Sequence, residues 1–382
     1  MVAVSATRLY FVDTLRASII ALVVLHHLAV VYAANTPFYY VEPPTDLLSY
    51  ILFIVFELLN QAWFMGLLFL LSGYFVQPSF DRKGLRSFSN DRLIRLAIPL
   101  LVFTFVLGPL SYFIGVPHMS PSLLAKAGIT LPLGWGAYLR SIAPGPLWFV
   151  ALLLIFDFSY AAWRVASRRV AWRTAEHRAE GRPPPTYRDL IGFVLLLATV
   201  TYLTRIVVPI GQYVLFFPTL SYLPQYASFF AIGIAAYRGD WLRKVSGSLA
   251  KRAFAVAVVA TLVVIPFTLL RAPTTFLGRG SWQSAVYALY DSTFAVGMSL
   301  ALIVLFRRFF DSSRKLWRLL SQQSYAVYVI HPPIIIAITA IGLSGLTLEP
   351  LLKFALAAVV SVPACFVAAY LVRRIPPVNR VL

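Results

Sequence analysis

Charged residues are scarce in this 382-residue chain. They make up 12% of it, about half the fraction of an average soluble domain. A soluble chain of this length needs a polar skin, and this one has too little to make it. That excludes an ordinary soluble enzyme, a disordered protein and a coiled coil. Acidic residues are scarcer still, 14 against 33 Lys and Arg, for a net charge of +19. Such a balance can mark a nucleic-acid binder, but the placement of the charges points to membrane topology, and no nucleic-acid partner is expected. The single cysteine, Cys365, lies in an apolar run, so the chain has no internal disulfide and no Cys-based metal site. The five histidines, His26, His27, His118, His177 and His331, lack HExxH spacing, which argues against a zinc hydrolase. No metal and no permanently bound cofactor is expected.

What the chain has is apolar length: 60% of it is hydrophobic. A membrane span needs about 20 mostly apolar residues. Ten stretches qualify, near 15–34, 48–77, 94–115, 146–164, 189–208, 220–237, 253–271, 284–306, 323–345 and 350–372. The second is long enough that it must tilt, kink near Gly66 or run past the bilayer. The fold class expected is all-α, a polytopic helical bundle forming one domain over residues 1–382. No internal repeat or appended soluble domain is visible. The first stretch is read as a span rather than a signal peptide, because it contains paired histidines and is flanked by Asp13 and Arg16.

The connecting segments alternate in charge. The N-terminus, 78–95, 164–188, 238–252, 307–318 and the C-terminal tail hold 27 of the 33 Lys and Arg. The other six are Lys126, Arg140, Arg205, Arg271, Arg279 and Lys353. The positive-inside rule places the first set in the cytoplasm, with both termini. Segment 164–188 reads as a short basic helix stopped by Pro183, Pro184 and Pro185.

Ionisable groups inside spans are costly and are functional candidates by default. Arg16 and His27 are eleven residues apart, which returns them to within about 20° of one helix face and separates them by about 16 Å along it. Arg16 then sits at the cytoplasmic rim and His27 near mid-bilayer, a line that suits a long ligand entering with its charged head at the rim. Asp13 can hold Arg16 through an i,i+3 pair, while His26 points about 100° away. The bland alternative is that Arg16 snorkels and His27 bonds a neighbouring helix. Glu57 also falls near mid-depth, where it could orient His27 or serve only in packing. Asp157 and Asp291 are weaker candidates. Arg92 and Arg95 share a face at i,i+3 and could grip phosphates, or simply flank a span. Tyr328 and His331 form another i,i+3 pair, either a second polar wall or a proline-bounded kink.

In order along the chain, these residues resemble acyltransferase family 3, polytopic membrane proteins that move acyl groups from acyl-CoA to sugars and other hydroxyl acceptors. The matching motifs are Asp13-x-Leu15-Arg16 with His27 beyond it, and the Phe-rich run from Trp63 to Leu71-Ser72-Gly73-Tyr74. Arg92-x-x-Arg95-x-x-x-Pro99, the stretch Leu147–Leu153, and Ser324-Tyr325-x-x-Tyr328-x-x-His331-Pro332 follow. Within the family the chain looks most like the branch that succinylates periplasmic glucans. The resemblance implies that His27 is catalytic, that Arg16 is its essential companion, and that Arg92 and Arg95 belong to the donor site.

The mechanism expected on this basis draws acyl-CoA, a co-substrate, to the basic cytoplasmic rim. His27 acts as general base on the acceptor hydroxyl, with Tyr328, Ser72 or an arginine stabilising the oxyanion. Acetyl and succinyl are the simplest acyl groups. The acceptor is a glycan, glycolipid or similar hydroxyl compound, and the setting is a bacterial inner membrane. The rival is a polytopic transporter, against which stands the lack of an inverted repeat or of paired broken helices. A non-enzymatic scaffold would leave the buried acid and histidines without a role.

Overall fold

Inside a bilayer an apolar segment can satisfy its backbone N–H and C=O groups by forming a helix, because no water is there to do so. The computed structural model describes residues 8–170, 183–270, 273–312 and 314–382, and among these the regular elements are helical, with no strand. Among the described residues, eight helical stretches are long and apolar enough to cross a membrane. One of them, Leu47–His118, contains two of the expected spans. The sixth expected span is the 17-residue helix Leu223–Gly239, shorter than the rest. Each of the ten expected windows is mostly helix in its described part.

The principal helices are α1 (Tyr10–Ala33), α2 (Leu47–Gln61), α3 (Phe64–Arg92) and α4 (93–115). They are followed by α5 (Trp148–Val170), α6 (Tyr187–Val207), α7 (Leu223–Gly239) and α8 (Gly247–Leu270). The last are α9 (Trp282–Phe309), α10 (Lys315–Ile336, continued as a π-helix over Ala337–Leu343) and α11 (Pro350–Val372). Of segment 164–188, α5 covers the start and Pro183–Pro185 are non-helical, while 171–182 lie outside the described residues, as does Arg271.

The long second span is divided at Ala62–Trp63, close to the expected kink at Gly66. A break leaves carbonyls without helical partners, and Gln225 of α7 donates its side-chain amide to the Ala62 carbonyl at 2.8 Å. Gly66 makes room for that side chain, since a Cβ there would stand 2.8 Å from Gln225 Nε2. At the other end of α3 the chain turns at Gly84, whose φ of 71° suits glycine. Helices α3 and α7 then pack backbone to backbone. A Cβ on Gly73 would overlap the Phe230 carbonyl, and one on Gly233 would overlap that of Leu70. Small residues permit this approach in membranes, where dispersion contacts replace the hydrophobic drive.

Prolines inside helices remove the donor that the carbonyl four residues back would use, and here tyrosines take up the freed acceptors. Pro99 has no N–H for Arg95, and the Tyr325 hydroxyl donates to the Arg95 carbonyl at 2.6 Å. Pro109 likewise leaves Phe105, whose carbonyl accepts from the Tyr138 hydroxyl at 3.1 Å. Two stretches that read separately in the sequence, around Arg95-Pro99 and Tyr325, are thereby pinned together. Helix α1 is buried along most of its length, against α2, α9, α10 and α11.

Candidate active site

Two cavities lie end to end in the bundle. One, of about 530 Å³, opens where the described chain begins and ends, since both Arg8 and Leu382 line it. This is the terminal end. The other, of about 590 Å³, opens at the far end and is lined by His26, His27, Asn35, Phe38, Glu57, Gln61, Arg140, Trp148 and Tyr222 among others. No residue lines both.

His27 is held by two acceptors, and their chemistry assigns its tautomer. Its Nδ1 lies 2.8 Å from the Val23 carbonyl, one turn back. A carbonyl only accepts, so Nδ1 carries the proton and Nε2 keeps a lone pair. The second partner is Nε2 of His331, 3.3 Å from the same Nδ1. His331 is set in turn by Pro332. Proline has no N–H for the Tyr328 carbonyl four residues back, and His331 Nδ1–H donates to that carbonyl at 2.8 Å. His331 Nε2 is therefore the unprotonated nitrogen and can accept from His27. The His-Pro pair thus orients His27 through three linked bonds, and it leaves His27 Nε2 as a free base in a ring that lines the far cavity. His331 is fully buried, so a histidine read as either wall or kink serves as the support for His27.

Glu57 shares the far cavity with His27, but its Oε2 accepts from Asn35 Nδ2 at 3.0 Å and its Oε1 has no partner. The groups that orient the His27 ring are Val23 and His331, not this acid. His26 packs its ring at 5.6 Å from that of His27 and at 5.0 Å from Phe64, and its Nδ1 has no partner.

Arg16, Arg92 and Arg95 meet in the terminal cavity, together with Arg8 and Arg373. The single line from Arg16 to His27 is interrupted, because the two side chains open into different cavities. The reason is that α1 is covered between them, with Val23 and Val24 buried against neighbouring helices. Asp13 is shared: Arg8 Nε sits 2.7 Å from its Oδ2, while Arg16 is 3.9 Å from its Oδ1. Arg92 forms an ion pair with the buried Asp157 at 2.8 Å. Arg95, 61% exposed, pairs with Asp91 at 3.4 Å and is the freest of the motif arginines. Ser72 and Tyr328 also line the terminal cavity. The Ser72 hydroxyl donates to the Leu68 carbonyl at 2.8 Å, and that of Tyr328 donates to the Pro146 carbonyl. Neither hydroxyl is free to stabilise an oxyanion in this arrangement.

Asp291 is paired away from both cavities, with Arg205 Nη2 at 2.6 Å. The guanidinium lies between the rings of Tyr222 and Tyr287, at 4.8 and 5.6 Å. Lys353 is also buried and pairs with Glu42. Two of the six minority cations are thus internal pairs rather than loop charges. Sequence reading did not foresee the contributions of Asn35, Gln61 and Arg140 to the far cavity, because nothing in their local pattern distinguishes them from ordinary polar residues. Pro332, directly after His331, was the available signal for the His331 bond.

Among the described residues no group of three or more His, Cys, Asp or Glu could hold a metal ion. No curated protein and no solved structure matches the chain. A family model described as an acyltransferase domain matches residues 9–370. With that match over nearly its whole length and with helices suited to a bilayer, the chain belongs to the acyltransferase 3 family and is a polytopic membrane acyltransferase.

Proposed function

We propose that the protein moves a short acyl group, acetyl or succinyl, from acyl-CoA bound at the terminal cavity to a hydroxyl of a glycan, glycolipid or similar acceptor in the far cavity, with His27 as general base. The observation that carries this reading is the chain Pro332, His331, His27, which leaves one basic nitrogen on a large cavity. The excess of Lys and Arg at the terminal end supports its placement in the cytoplasm, where acyl-CoA is made. The five arginines of the terminal cavity, against Asp13 and Asp157, suit a polyanionic donor. Aromatic rings beside Glu57, Asn35 and Gln61 suit a hydroxyl-rich acceptor at the opposite face, which is the outer face of an inner membrane.

In the reaction, His27 Nε2 takes the acceptor O–H proton as the oxygen attacks the thioester carbon. The tetrahedral intermediate then collapses, the C–S bond breaks, and the proton on His27 returns to the departing CoA thiolate. The free enzyme is regenerated with the ester and CoA as products. An imidazole nitrogen can both accept and return a proton, so the group suits both steps.

The test follows label from acyl-tagged acetyl-CoA and succinyl-CoA into glycan and lipid, in membranes holding wild type or His27→Ala. Label retained by wild type and lost in a folded, inserted variant is the expected result. Full activity without His27 would end this mechanism, and substrate flux without CoA release would favour a carrier.

A further inference from the structure

The donor arginines and His27 occupy cavities that share no lining residue, yet acyl transfer requires the donor's acyl end to reach the His27 nitrogen. We infer that Tyr328 is the gate between them, a residue whose ring closes the passage and sets which acyl groups go through. This inference rests on the acyltransferase reading above.

The partition is thin, and the Tyr328 side chain reaches across it. Along α1, Ile20 lines the terminal cavity and His26 lines the far one, a separation of about 9 Å in helical rise. On α5 the change comes between adjacent residues, with Trp148 on the far side and Phe149 on the terminal side. Tyr328 lines the terminal cavity, and its hydroxyl donates to the carbonyl of Pro146, which lines the far one. That hydrogen bond spans the partition.

The other members are held by ring packing or by the bonds of the His331 ring. Phe149 packs against Phe69 with ring centres 4.4 Å apart. Trp148 stacks on Tyr226 at 5.4 Å. His331 is held by its bonds to the Tyr328 carbonyl and to His27. The Tyr328 ring lies 6.0 Å from both Phe149 and His331, and its hydroxyl bond to Pro146 holds it across the partition. Swinging this side chain breaks one hydrogen bond and leaves the backbone carbonyl that orients His331 in place. The gate can therefore open without dismantling the base. The opening it leaves is bounded by Phe149, Trp148 and His331. The arginines retain the nucleotide end of the donor on the terminal side, so only its acyl arm has to pass.

The test reads access from each side by a charged, membrane-impermeant thiol reagent, with the full-length chain in vesicles of known orientation and Cys365→Ala as background. Leu58→Cys reports on the far cavity and Ile20→Cys on the terminal one. With Tyr328 intact each probe should react fast from its own side and slowly from the other. With Tyr328→Ala each should react from both sides, and use of succinyl-CoA should rise relative to acetyl-CoA. Tyr328→Phe, which keeps the ring, should raise cross-side labelling about fivefold, the population equivalent of one hydrogen bond's net contribution.

Sidedness unchanged by both variants, with own-side reactivity preserved, would overturn the gate. Cross-side labelling as fast as own-side labelling with Tyr328 intact would overturn it too. Sidedness that changes as expected in a protein showing no acyl transfer would leave the gate standing and refute the donor reading.

Discussion

Replacing His331 separates two jobs that one ring performs. Its Nδ1–H satisfies the Tyr328 carbonyl at 2.8 Å, and its Nε2 accepts from His27. An Asn amide reaches roughly the Nδ1 position and a Gln amide roughly the Nε2 position. His331→Asn should therefore keep the carbonyl bonded and lose the support of His27. The Val23 bond still holds the His27 tautomer, so catalysis is impaired rather than abolished. A catalytic group that loses one of two orienting contacts should cost about 10- to 100-fold in kcat. His331→Gln should do the reverse. It leaves the Tyr328 carbonyl unpaired, since Pro332 has no N–H, at a cost of about 1–3 kcal/mol in stability, while kcat stays within a few-fold of wild type. The assays are release of CoA in the presence of acceptor, and thermal unfolding in detergent followed by loss of the monodisperse peak. Wild-type kcat in a well-folded His331→Asn protein would refute the positioning role. The opposite pattern, a stable Gln variant that is slow and an unstable Asn variant that is fast, would refute the assignment of these two jobs to the two ring nitrogens.

The arginines of the terminal cavity should behave differently from one another. Arg95→Ala removes an exposed group and should change stability by no more than about 0.5 kcal/mol, while raising KM for acyl-CoA by an amount that shrinks as salt is added. Arg92→Ala strands the buried Asp157 and should cost about 3–5 kcal/mol, visible as a lowered Tm before any change in KM is read. Arg205→Met should be destabilising by a similar amount, about 3–5 kcal/mol, because Asp291 is left alone. The double variant Arg205→Met with Asp291→Leu should recover most of the lost Tm. Gly73→Ala drives a methyl into the Phe230 carbonyl and should cost about 1–3 kcal/mol or more, whereas Gly192→Ala, with open space around its Cα, should leave Tm nearly unchanged.

The division between what was legible and what was not follows the range of the interactions. The spans could be read because bilayer thickness imposes a length and an apolar composition on each segment separately. The break in the second span was expected near Gly66, but its position at Ala62 depends on Gln225, more than 160 residues away, which supplies the missing donor. Arg92 and Arg95 could be seen to share a helix face, yet their different freedom depends on Asp157 in α5. Glu57 lines the same cavity as His27. Its partner, Asn35, comes from the loop after α1, and depth alone does not choose partners. Asp291 and Arg205 were each noted, without any local feature to join them.

The sequence by itself determined the all-helical architecture, the helical segments, the charge asymmetry between their ends and the family. Each of these arises from composition and short-range spacing, which a bilayer converts directly into structure. Only the tertiary structure decided that His331 supports His27, that the arginines and His27 open into separate cavities, and that Tyr328 stands between them. Those outcomes depend on helices remote in sequence meeting at a particular rotation and depth. Side-chain packing, backbone carbonyls left free by proline, and glycine contacts select that arrangement, and no periodicity within a single helix encodes it.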